Sequence, residues 1–435
     1  FARLKHPGPE QSVKLNCTLA LGFGENVSSA TKAARESLAR GFAAVRNEYE
    51  AGWRQYVSGL PRVEPQHQSL FNMAAMVLRG LEDKTFRGAV IASPSSPWGG
   101  GANANEPTIS GYHAVWSRDL YHVATAFIAL GDLASANRML DYAFRVQQKP
   151  DGSFPRNTWV DGRPTSDGLQ MDQVALPLVL AYQLGRNDAD TWRKHIKPAA
   201  DFIVQRGPRT DSDRWEEKSG YFHATVAAEI AGLVCAAETA ILNRDRTSAD
   251  KYRRVADAWA QQIEPLDRSR VDAGFLELVR LGVKPATDKS IIEWLKIVDQ
   301  TIKVTTPAGD AWYRYNGDTY GETRTGDKFD GQNGVGRLWT LLNGERGEYE
   351  LAAGNLAAAR KQLDTMARFA NDGLMIPEQV WDRSDAPRGF SFGAGTGSAT
   401  PLAWSMAQFI RLAISLSRGF NVETPDVVAK RYLSK

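Results

Sequence analysis

The segment HATVAAEIAGLVCAAETAILN, residues 223–243, carries the clearest secondary-structure signal in the chain. Its apolar side chains recur at spacings of four, three and four positions, at Ile230, Val234, Ala237 and Ile241. This spacing places them on one face of an α-helix. Similar segments follow along the chain without the alternation of strands and helices that a parallel sheet requires. The sequence therefore predicts an all-α fold.

Helical periodicity begins close to residue 29, where Ser28 or Ser29 can cap the first helix. This first helix is predicted as one long amphipathic segment over residues 28–60. Further helices are predicted near residues 65–82, 118–131, 133–147, 170–185, 189–206, 223–243, 247–264, 287–301, 333–343, 347–371 and 398–418. We therefore expect about twelve helices.

The connections between these helices are of two kinds. Some have two to four residues, whereas others are long and rich in Gly, Trp, Asn and acidic residues. A solenoid, a pair of bundles and a closed ring of helical hairpins remain open, but no repeat of fixed period indicates a solenoid. Long loops after every second helix would emerge at one end of a ring, and long loops are usually functional. We therefore expect an (α/α) toroid.

The first residues of the chain follow a different pattern. Residues 13–23, VKLNCTLALGF, alternate apolar and polar positions as a β-strand does. We interpret residues 1–28 as the end of a β-domain, with its linker, that lies mostly outside this chain. Residues 29–435 form the helical domain in this interpretation. The chain begins at Phe1 and shows no signal peptide, so we interpret it as a processed or trimmed form.

Charge and composition exclude several classes of partner and cofactor. The net charge is only +3, and Lys and Arg are dispersed among Asp and Glu, so no nucleic-acid partner is expected. No uninterrupted apolar run reaches the length of a membrane span, which predicts a soluble protein without a membrane partner. The histidines and cysteines have no metal-ligand spacing, so neither a metal nor another cofactor is expected. Cys17 and Cys235 are predicted to be buried, small apolar residues.

The long loops contain half of the tryptophans of the chain. The loops cover residues 94–119, 149–168, 210–222, 310–331 and 373–395, and their tryptophans are Trp98, Trp116, Trp159, Trp215, Trp312 and Trp381. Aromatic rings beside Asp, Arg, Asn and Glu suit a sugar, whose C–H face stacks on a ring while its hydroxyls bind charged groups. Each tryptophan alone could simply close the top of the barrel. As a set they favour a carbohydrate cleft, in which paired carboxylates are the groups that glycoside hydrolysis uses.

Eight motifs, in order along the chain, resemble the glucoamylase and glucodextranase family. They are GYHAVWSRDLYHVATAFIALGD (111–132), DGSFPRNTWVDG (151–162), RWEEKSGY (214–221), AAEIAGLVCAA (227–237), VDAGFLELVRLGV (271–283), WYRYNGDTYGE (312–322), MIPEQVWD (375–382) and GSATPLAWS (397–405). The resemblance extends from residue 29 to about residue 420. It implies an (α/α)6 barrel, and a β-sandwich domain at the N-terminus as a further partner, because bacterial members carry one.

The resemblance implies an inverting, exo-acting enzyme that removes glucose from the non-reducing ends of α-glucans. Glu216 of the Trp-Glu-Glu motif is then the general acid, and Glu378 of Pro-Glu-Gln is the general base. The two lie 378 − 216 = 162 positions apart, so only the fold can bring them together. The acid has to stay protonated near the working pH, for which Glu217 supplies a negative neighbour and Trp215 excludes water. The base has to stay ionised, with about 6.5–9.5 Å between the carboxyl groups for the attacking water.

The resemblance also implies which residues hold the substrate. Arg118 and Asp119 match the Arg-Asp pair that binds the terminal glucose and makes the family exo-acting. Tyr112 and Trp116 match aromatic residues of the same subsite, and Trp159 matches the tryptophan that supports the acid. Arg314 matches a substrate-binding arginine, and Glu217 matches a carboxylate at the next subsite. The predicted substrate-binding residues are Tyr112, Trp116, Arg118, Asp119, Trp159, Trp215, Glu217, Arg314 and Gln379.

Several alternatives stay open at this point. A transglucosylase of the same family, or a glucan-binding protein without activity, would carry many of these motifs, although the intact glutamate pair argues against the second. Arg118 and Asp119 could also be only an ion pair at a helix start. Ser117 and residues 221–225 depart from the family pattern, and residues 261–275 form a shorter stretch than usual, so the linkage preference between α-1,4 and α-1,6 stays open. The expected partner is an α-glucan oligosaccharide or polysaccharide, and the family implies a secreted or periplasmic location.

Overall fold

The computed structural model describes residues 17–99, 111–166 and 168–434. The chain divides into two compact units, Phe1–Leu60 and Pro61–Lys435. The described part of the first unit contains the helices α1, Val27–Arg40, and α2, Phe42–Ser58. The single helix predicted there is wrong, because Gly41 lies between the two with φ 79°, a conformation that suits glycine and ends the helix.

The strand predicted at residues 13–23 is not formed in the part of this segment that the structure describes. Residues 13–16 lie outside the described residues, and residues 17–23 have no regular secondary structure. A strand needs a hydrogen-bonded neighbour, and no described residue pairs with this segment. Cys17 is exposed and Cys235 is buried, so the prediction that both are buried is wrong for Cys17. The domain boundary predicted after residue 28 stays a prediction.

The described residues of the second unit form helices with small antiparallel strand pairs in the loops. The helices are α3 Gln68–Gly80, α4 Ser117–Leu130, α5 Leu133–Tyr142, α6 Met171–Gln183, α7 Ala189–Thr191, α8 Lys197–Arg206, α9 His223–Leu242, α10 Arg246–Gln261, α11 Leu276–Arg280, α12 Lys289–Thr301, α13 Leu341–Ala352, α14 Leu356–Phe369, α15 Ala403–Arg418 and α16 Asp426–Tyr432. The strands are β1 Asn157–Thr158, β2 Pro164–Ser166, β3 Lys303–Thr306, β4 Gly309–Trp312, β5 Leu338–Trp339 and β6 Gln379–Val380, which pair as β1–β2, β3–β4 and β5–β6.

Six helices close into an inner ring. Each contacts the next in the order α4, α6, α9, α11, α13 and α15, and α15 contacts α4 again. The outer helices α3, α5, α8, α10 and α14 pack against this ring from outside. Helix α9 is long and apolar enough to span a membrane by length and composition, but 83% of its apolar window is buried inside the protein. The predicted (α/α)6 barrel is confirmed.

Links of at most eight residues join each inner helix to the helix that follows it in the sequence. Five of these links end on an Asp or Asn side chain that accepts a backbone N–H of the next helix, at Asp132, Asp188, Asp245, Asp288 and Asn355. Such an N-cap accepts an N–H group that has no partner inside the helix, and so it favours a helix start at the next residue. The long loops instead precede the inner helices, at residues 81–116, 143–170, 207–222, 262–275, 302–340 and 370–402. They therefore meet at one end of the barrel, as the alternation of loop lengths predicts.

Some element predictions were wrong for local reasons. The helix predicted at residues 333–343 is instead strand β5 followed by α13, because a short apolar run fits a strand and a helix equally well. The short helices α11 and α16 were missed, since five and seven residues are too few to show helical periodicity. The helix predicted from residue 398 begins only at Ala403, after Pro401.

Candidate active site

A cavity of about 440 Å³ lies at the loop end of the barrel. All but one of the predicted site residues line it, namely Tyr112, Trp116, Arg118, Asp119, Trp159, Trp215, Glu216, Glu217, Arg314 and Glu378. They come from loops and helix starts that are far apart in the sequence. The fold therefore brings the predicted acid and base to the same cavity.

Hydrogen-bond donors surround the Glu216 carboxylate on both oxygens. The indole Nε1 of Trp116 donates to Oε1, and Nε of Arg156 donates to Oε2 at 2.7 Å. The Arg118 Nη2 atom lies 3.6 Å from Oε1. The side chain keeps 19% of its surface exposed, so the carboxyl group is accessible to a ligand in the cavity.

A tight turn holds Glu216 in place. Glu216 has φ 69°, in the left-handed region that costs a non-glycine residue about 1 kcal/mol. Asp213 supports this turn, because its backbone oxygen accepts the N–H of Glu216 at 2.8 Å. Its Oδ1 accepts the N–H groups of Glu217 at 2.8 Å and Lys218 at 3.1 Å. The turn therefore points the two adjacent glutamates in different directions.

Glu217 is occupied by ion pairs. Its Oε1 accepts from Nη2 of Arg314 at 2.7 Å, and its Oε2 accepts from Nη2 of Arg270 at 3.0 Å. The hydroxyl of Tyr315 donates to Oε2 as well. Both glutamates line the cavity and both are ion-paired, Glu217 with Arg314 and Arg270 and Glu216 with Arg156, so they differ in their partners and not in their access to the cavity.

Glu378 is almost completely buried, with 1% of its surface exposed. The Tyr112 hydroxyl donates to its Oε1, and the Tyr112 and Tyr320 hydroxyls share a hydrogen bond of 2.7 Å. Burial raises the pKa of Glu378 to about 7, while the hydrogen bonds from Tyr112 and Gln379 and the charge of Arg314 oppose the rise. A carboxylate with a pKa near neutrality can take up a proton at working pH.

Gln379 lies outside the lining of the cavity, and its prediction as a substrate-binding residue is corrected on this point. Its Nε2 donates to Oε2 of Glu378 at 3.3 Å, and its Oε1 accepts from the backbone N–H of Arg337 at 3.3 Å. Glu378 lies in a bend directly before β6 and lines the cavity, whereas the Gln379 side chain is fully buried. Gln379 instead supports Glu378 from behind.

Arg118 and Asp119 stand at the start of α4, with Arg118 Nη2 3.3 Å from Asp119 Oδ2. That Oδ2 atom is buried and has no hydrogen-bond partner among the described residues. Burial raises the pKa of Asp119 to about 6, against the positive charge of Arg118. A buried carboxylate oxygen without a donor is ready to accept a hydrogen bond from a ligand hydroxyl.

Lining residues of the cavity that were not predicted from the sequence include Arg156, Arg214, Tyr320, Trp339 and Trp404. Trp215 packs against Trp339 with ring centroids 5.2 Å apart and against Trp404 at 6.4 Å, which makes an aromatic floor. Arg156, Arg214, Tyr320 and Trp404 lie inside motifs already noted, and this position is the signal that could have identified them. No group of three or more His, Cys, Asp or Glu that could hold a metal ion occurs among the described residues.

Comparisons with known proteins give matches to family models and to relatives. The family model for Glycosyl hydrolases family 15 matches residues 65–414, and the one for Glucodextranase, domain N, matches residues 8–58. The chain is 42% identical to a glucoamylase of Clostridium sp. (strain G0005), across 98% of this chain and 64% of that protein. It is 27% identical to an isomaltose glucohydrolase of Kribbella flavida, across 73% of this chain and 88% of that protein.

A solved structure gives the same result at the level of the fold. The crystal structure of a bacterial glucoamylase complexed with acarbose matches with a TM-score of 0.86 and 43% identity, across 95% of this chain and 64% of that chain. The chain therefore spans less than two thirds of the length of either glucoamylase.

Proposed function

The chain belongs to glycosyl hydrolases family 15, and from this premise we propose that it is an inverting exo-α-glucosidase. It releases β-glucose from the non-reducing ends of α-1,4 or α-1,6 glucans. The observation that carries the proposal is that Glu216 and Glu378, on separate loops, line one cavity with Arg118 and Asp119.

In the proposed reaction Glu216 is the general acid. It gives its proton to the glycosidic oxygen as the bond from that oxygen to the anomeric carbon breaks. Glu378 takes a proton from a water molecule, whose oxygen attacks the anomeric carbon from the opposite face, so the configuration inverts. The Tyr112 and Gln379 hydrogen bonds favour the ionised form of Glu378 that this step requires.

The exo-action is assigned in this proposal to the residues that hold the terminal glucose. The rings of Trp339 and Trp404 pack against Trp215 in the lining of the same cavity. The free Oδ2 of Asp119 accepts a hydroxyl of the terminal glucose, and Arg118 donates beside it.

The proposal includes both the α-1,4 and the α-1,6 linkage because of the relatives of the chain, and not because of the shape of the cavity. One relative is named a glucoamylase, and the other is named an isomaltose glucohydrolase, whose substrate carries an α-1,6 bond. Products from maltose and isomaltose, separated by chromatography, decide between the linkages. The N-terminal match to a glucodextranase domain supports a further domain as partner. A secreted or periplasmic location stays a prediction.

The substitution Glu378→Gln tests the mechanism. Glu378→Gln keeps the shape of the side chain but cannot take up a proton, so kcat on maltose and isomaltose should fall at least ~100-fold. The control is Glu350→Gln, because Glu350 pairs with Arg346 at 2.8 Å and lies outside the cavity lining. Wild-type turnover by Glu378→Gln would refute the assignment of the base, and α-glucose as the first product in NMR spectra would refute inversion.

A further inference from the structure

A second cavity, of about 490 Å³, lies on the other side of the turn that carries Glu216 and Glu217. Asp213, Arg214 and Lys218 of this turn line the second cavity, and Arg214 lines both. The turn is therefore a thin wall between two cavities. The function proposed above uses only the first of them.

The chemistry of the second cavity suits a neutral polar ligand. Four cationic and four acidic side chains line it, so their formal charges cancel. Most of them are already paired, for example Arg270 with Asp213 at 2.7 Å. Arg209 similarly lies 3.7 Å from Glu264. A charged ligand would have to break these pairs, whereas sugar hydroxyls can add hydrogen bonds to them.

Aromatic rings lie beside these charged pairs. The half-buried side chains of Tyr221 and Phe222 line the cavity together with Tyr315. The Arg270 guanidinium lies 3.9 Å from the ring centroid of Tyr315 and 5.7 Å from that of Phe222. This combination of aromatic faces and planar charged groups is the same one that lines the first cavity.

Buried guanidinium nitrogens in the second cavity lack hydrogen-bond partners among the described residues, at Nε of Arg270 and at Nε and Nη2 of Arg214. The Arg270 side chain is only 9% exposed, yet its buried Nε has no hydrogen-bond partner among the described residues. Lys218 lines the same cavity with an exposed side chain. Buried donors are almost always satisfied, so the Nε of Arg270 is a donor that water or a ligand oxygen can occupy.

We propose that the second cavity binds a neutral oligosaccharide segment of a glucan, stacked on Tyr221 and Phe222 and hydrogen-bonded to Arg270 and Lys218. The inference rests on the proposed function for the identity of the sugar. Binding there holds a polymer next to the first cavity and affects long glucans more than disaccharides. It also contacts the Glu217 network, since Arg270 donates to Glu217.

The test uses the full chain with Glu378→Gln to stop turnover. Maltoheptaose is titrated by calorimetry, and crystals are soaked with the same sugar. We expect two binding sites and density against Tyr221 and Phe222. Adding Tyr221→Ala should weaken the second site about fivefold or more, a loss of about 1 kcal/mol. Tyr221→Phe should keep it, because the ring remains, and Tyr182→Ala controls for losing a half-buried surface tyrosine elsewhere.

Activity measurements separate this inference from the proposed function. In an otherwise wild-type chain, Tyr221→Ala should lower kcat/KM for a long glucan about fivefold and leave that for maltose or isomaltose within about twofold. A single sugar site in the Glu378→Gln chain, with wild-type turnover intact, would overturn the second site and leave the proposed function standing. Wild-type protein without any glucosidase activity would overturn the proposed function instead.

Discussion

Tyr112 links the predicted base to the hydrogen-bond network of the cavity, and its removal gives a prediction with a definite sign. The Tyr112 hydroxyl donates to Glu378 and so favours the ionised carboxylate, which lowers the pKa of Glu378. Tyr112→Phe removes this donor, so the pKa of Glu378 should rise above about 7. Activity needs ionised Glu378, so the acid limb of kcat/KM against pH should move to higher pH.

The matched variant is Tyr320→Phe. The Tyr320 hydroxyl bonds to Tyr112 and makes no hydrogen bond to Glu378, so its loss should shift the limb less. Both pH profiles are measured with the same substrate. An acid limb that moves to lower pH in Tyr112→Phe would contradict the role of this hydrogen bond.

The sequence distinguished Glu216 from Glu217 only through the family motif, and in the structure both side chains line the cavity. They differ in their partners, because Arg314 and Arg270 bind Glu217, whereas Trp116 and Arg156 donate to Glu216. The missed partner Arg156 lies 60 positions before Glu216, and Tyr320 lies 208 positions after Tyr112. Such pairs depend on tertiary packing, which has no spacing rule in the sequence.

At the scale of an element, the turn at residues 213–218 depends on one buried side chain. Asp213 accepts two backbone N–H groups and pairs with Arg270 at 2.7 Å. Asp213→Ala leaves these donors unpaired, so the free energy of unfolding should fall by about 3 kcal/mol. The turn that carries Glu216 also loses the two side-chain hydrogen bonds from Asp213, so kcat should fall as well. Urea unfolding and steady-state kinetics measure the two effects.

Two further variants make this prediction specific. Asp213→Asn keeps the acceptor for the backbone N–H groups and removes only the charge opposite Arg270, so it should retain more activity than Asp213→Ala. Asp211→Ala removes an exposed carboxylate 3.5 Å from Arg206 and should change stability by less than about 1 kcal/mol. Equal kcat values for wild type and Asp213→Ala would show that the turn does not position the acid.

The boundaries of a helix could be predicted where its apolar periodicity extends over several turns and ends abruptly. The helix predicted at residues 223–243 is α9, His223–Leu242, because its apolar spacing persists over five turns. The break at Gly41 was missed because one glycine is tolerated inside many helices, and only the backbone shows its φ of 79°. The loop strand β5 was missed because its partner β6 is about 40 residues away in the sequence.

At the scale of the whole molecule, the ring could be predicted from loop lengths, but its interior could not. The charged residues Glu345 and Arg411 lie on the inner helices α13 and α15 with 3% and 0% of their surface exposed. Glu345 accepts from Arg214 at 2.9 Å inside the barrel. In a sequence pattern, charged residues such as these indicate the solvent-facing side of a helix. In this fold that side is buried, because the ring of helices closes around it.

Glu229 on the inner helix α9 shows how this closed interior affects stability. The residue is 0% exposed, and neither carboxyl oxygen has a hydrogen-bond partner among the described residues. Burial, followed by the negative charge of Asp172, raises the pKa of Glu229 well above 4.5. The folded protein therefore keeps this proton at pH values where the unfolded chain has released it. The stabilisation is fully present below the unfolded pKa and is lost as pH rises towards the folded one.

Glu229→Gln replaces this carboxyl group by a neutral amide of nearly the same shape, and it should make the protein less sensitive to alkaline pH. Between pH 5 and 8 the free energy of unfolding of wild type should fall relative to the variant by up to ~1.4 kcal/mol per pH unit. Urea unfolding at both pH values measures the difference. Glu238→Gln, on the same helix, removes only an ion pair with Arg253 at 2.6 Å and should give an offset that does not grow with pH. A wild-type protein that gains stability over Glu229→Gln as pH rises would show that Glu229 is ionised inside the barrel.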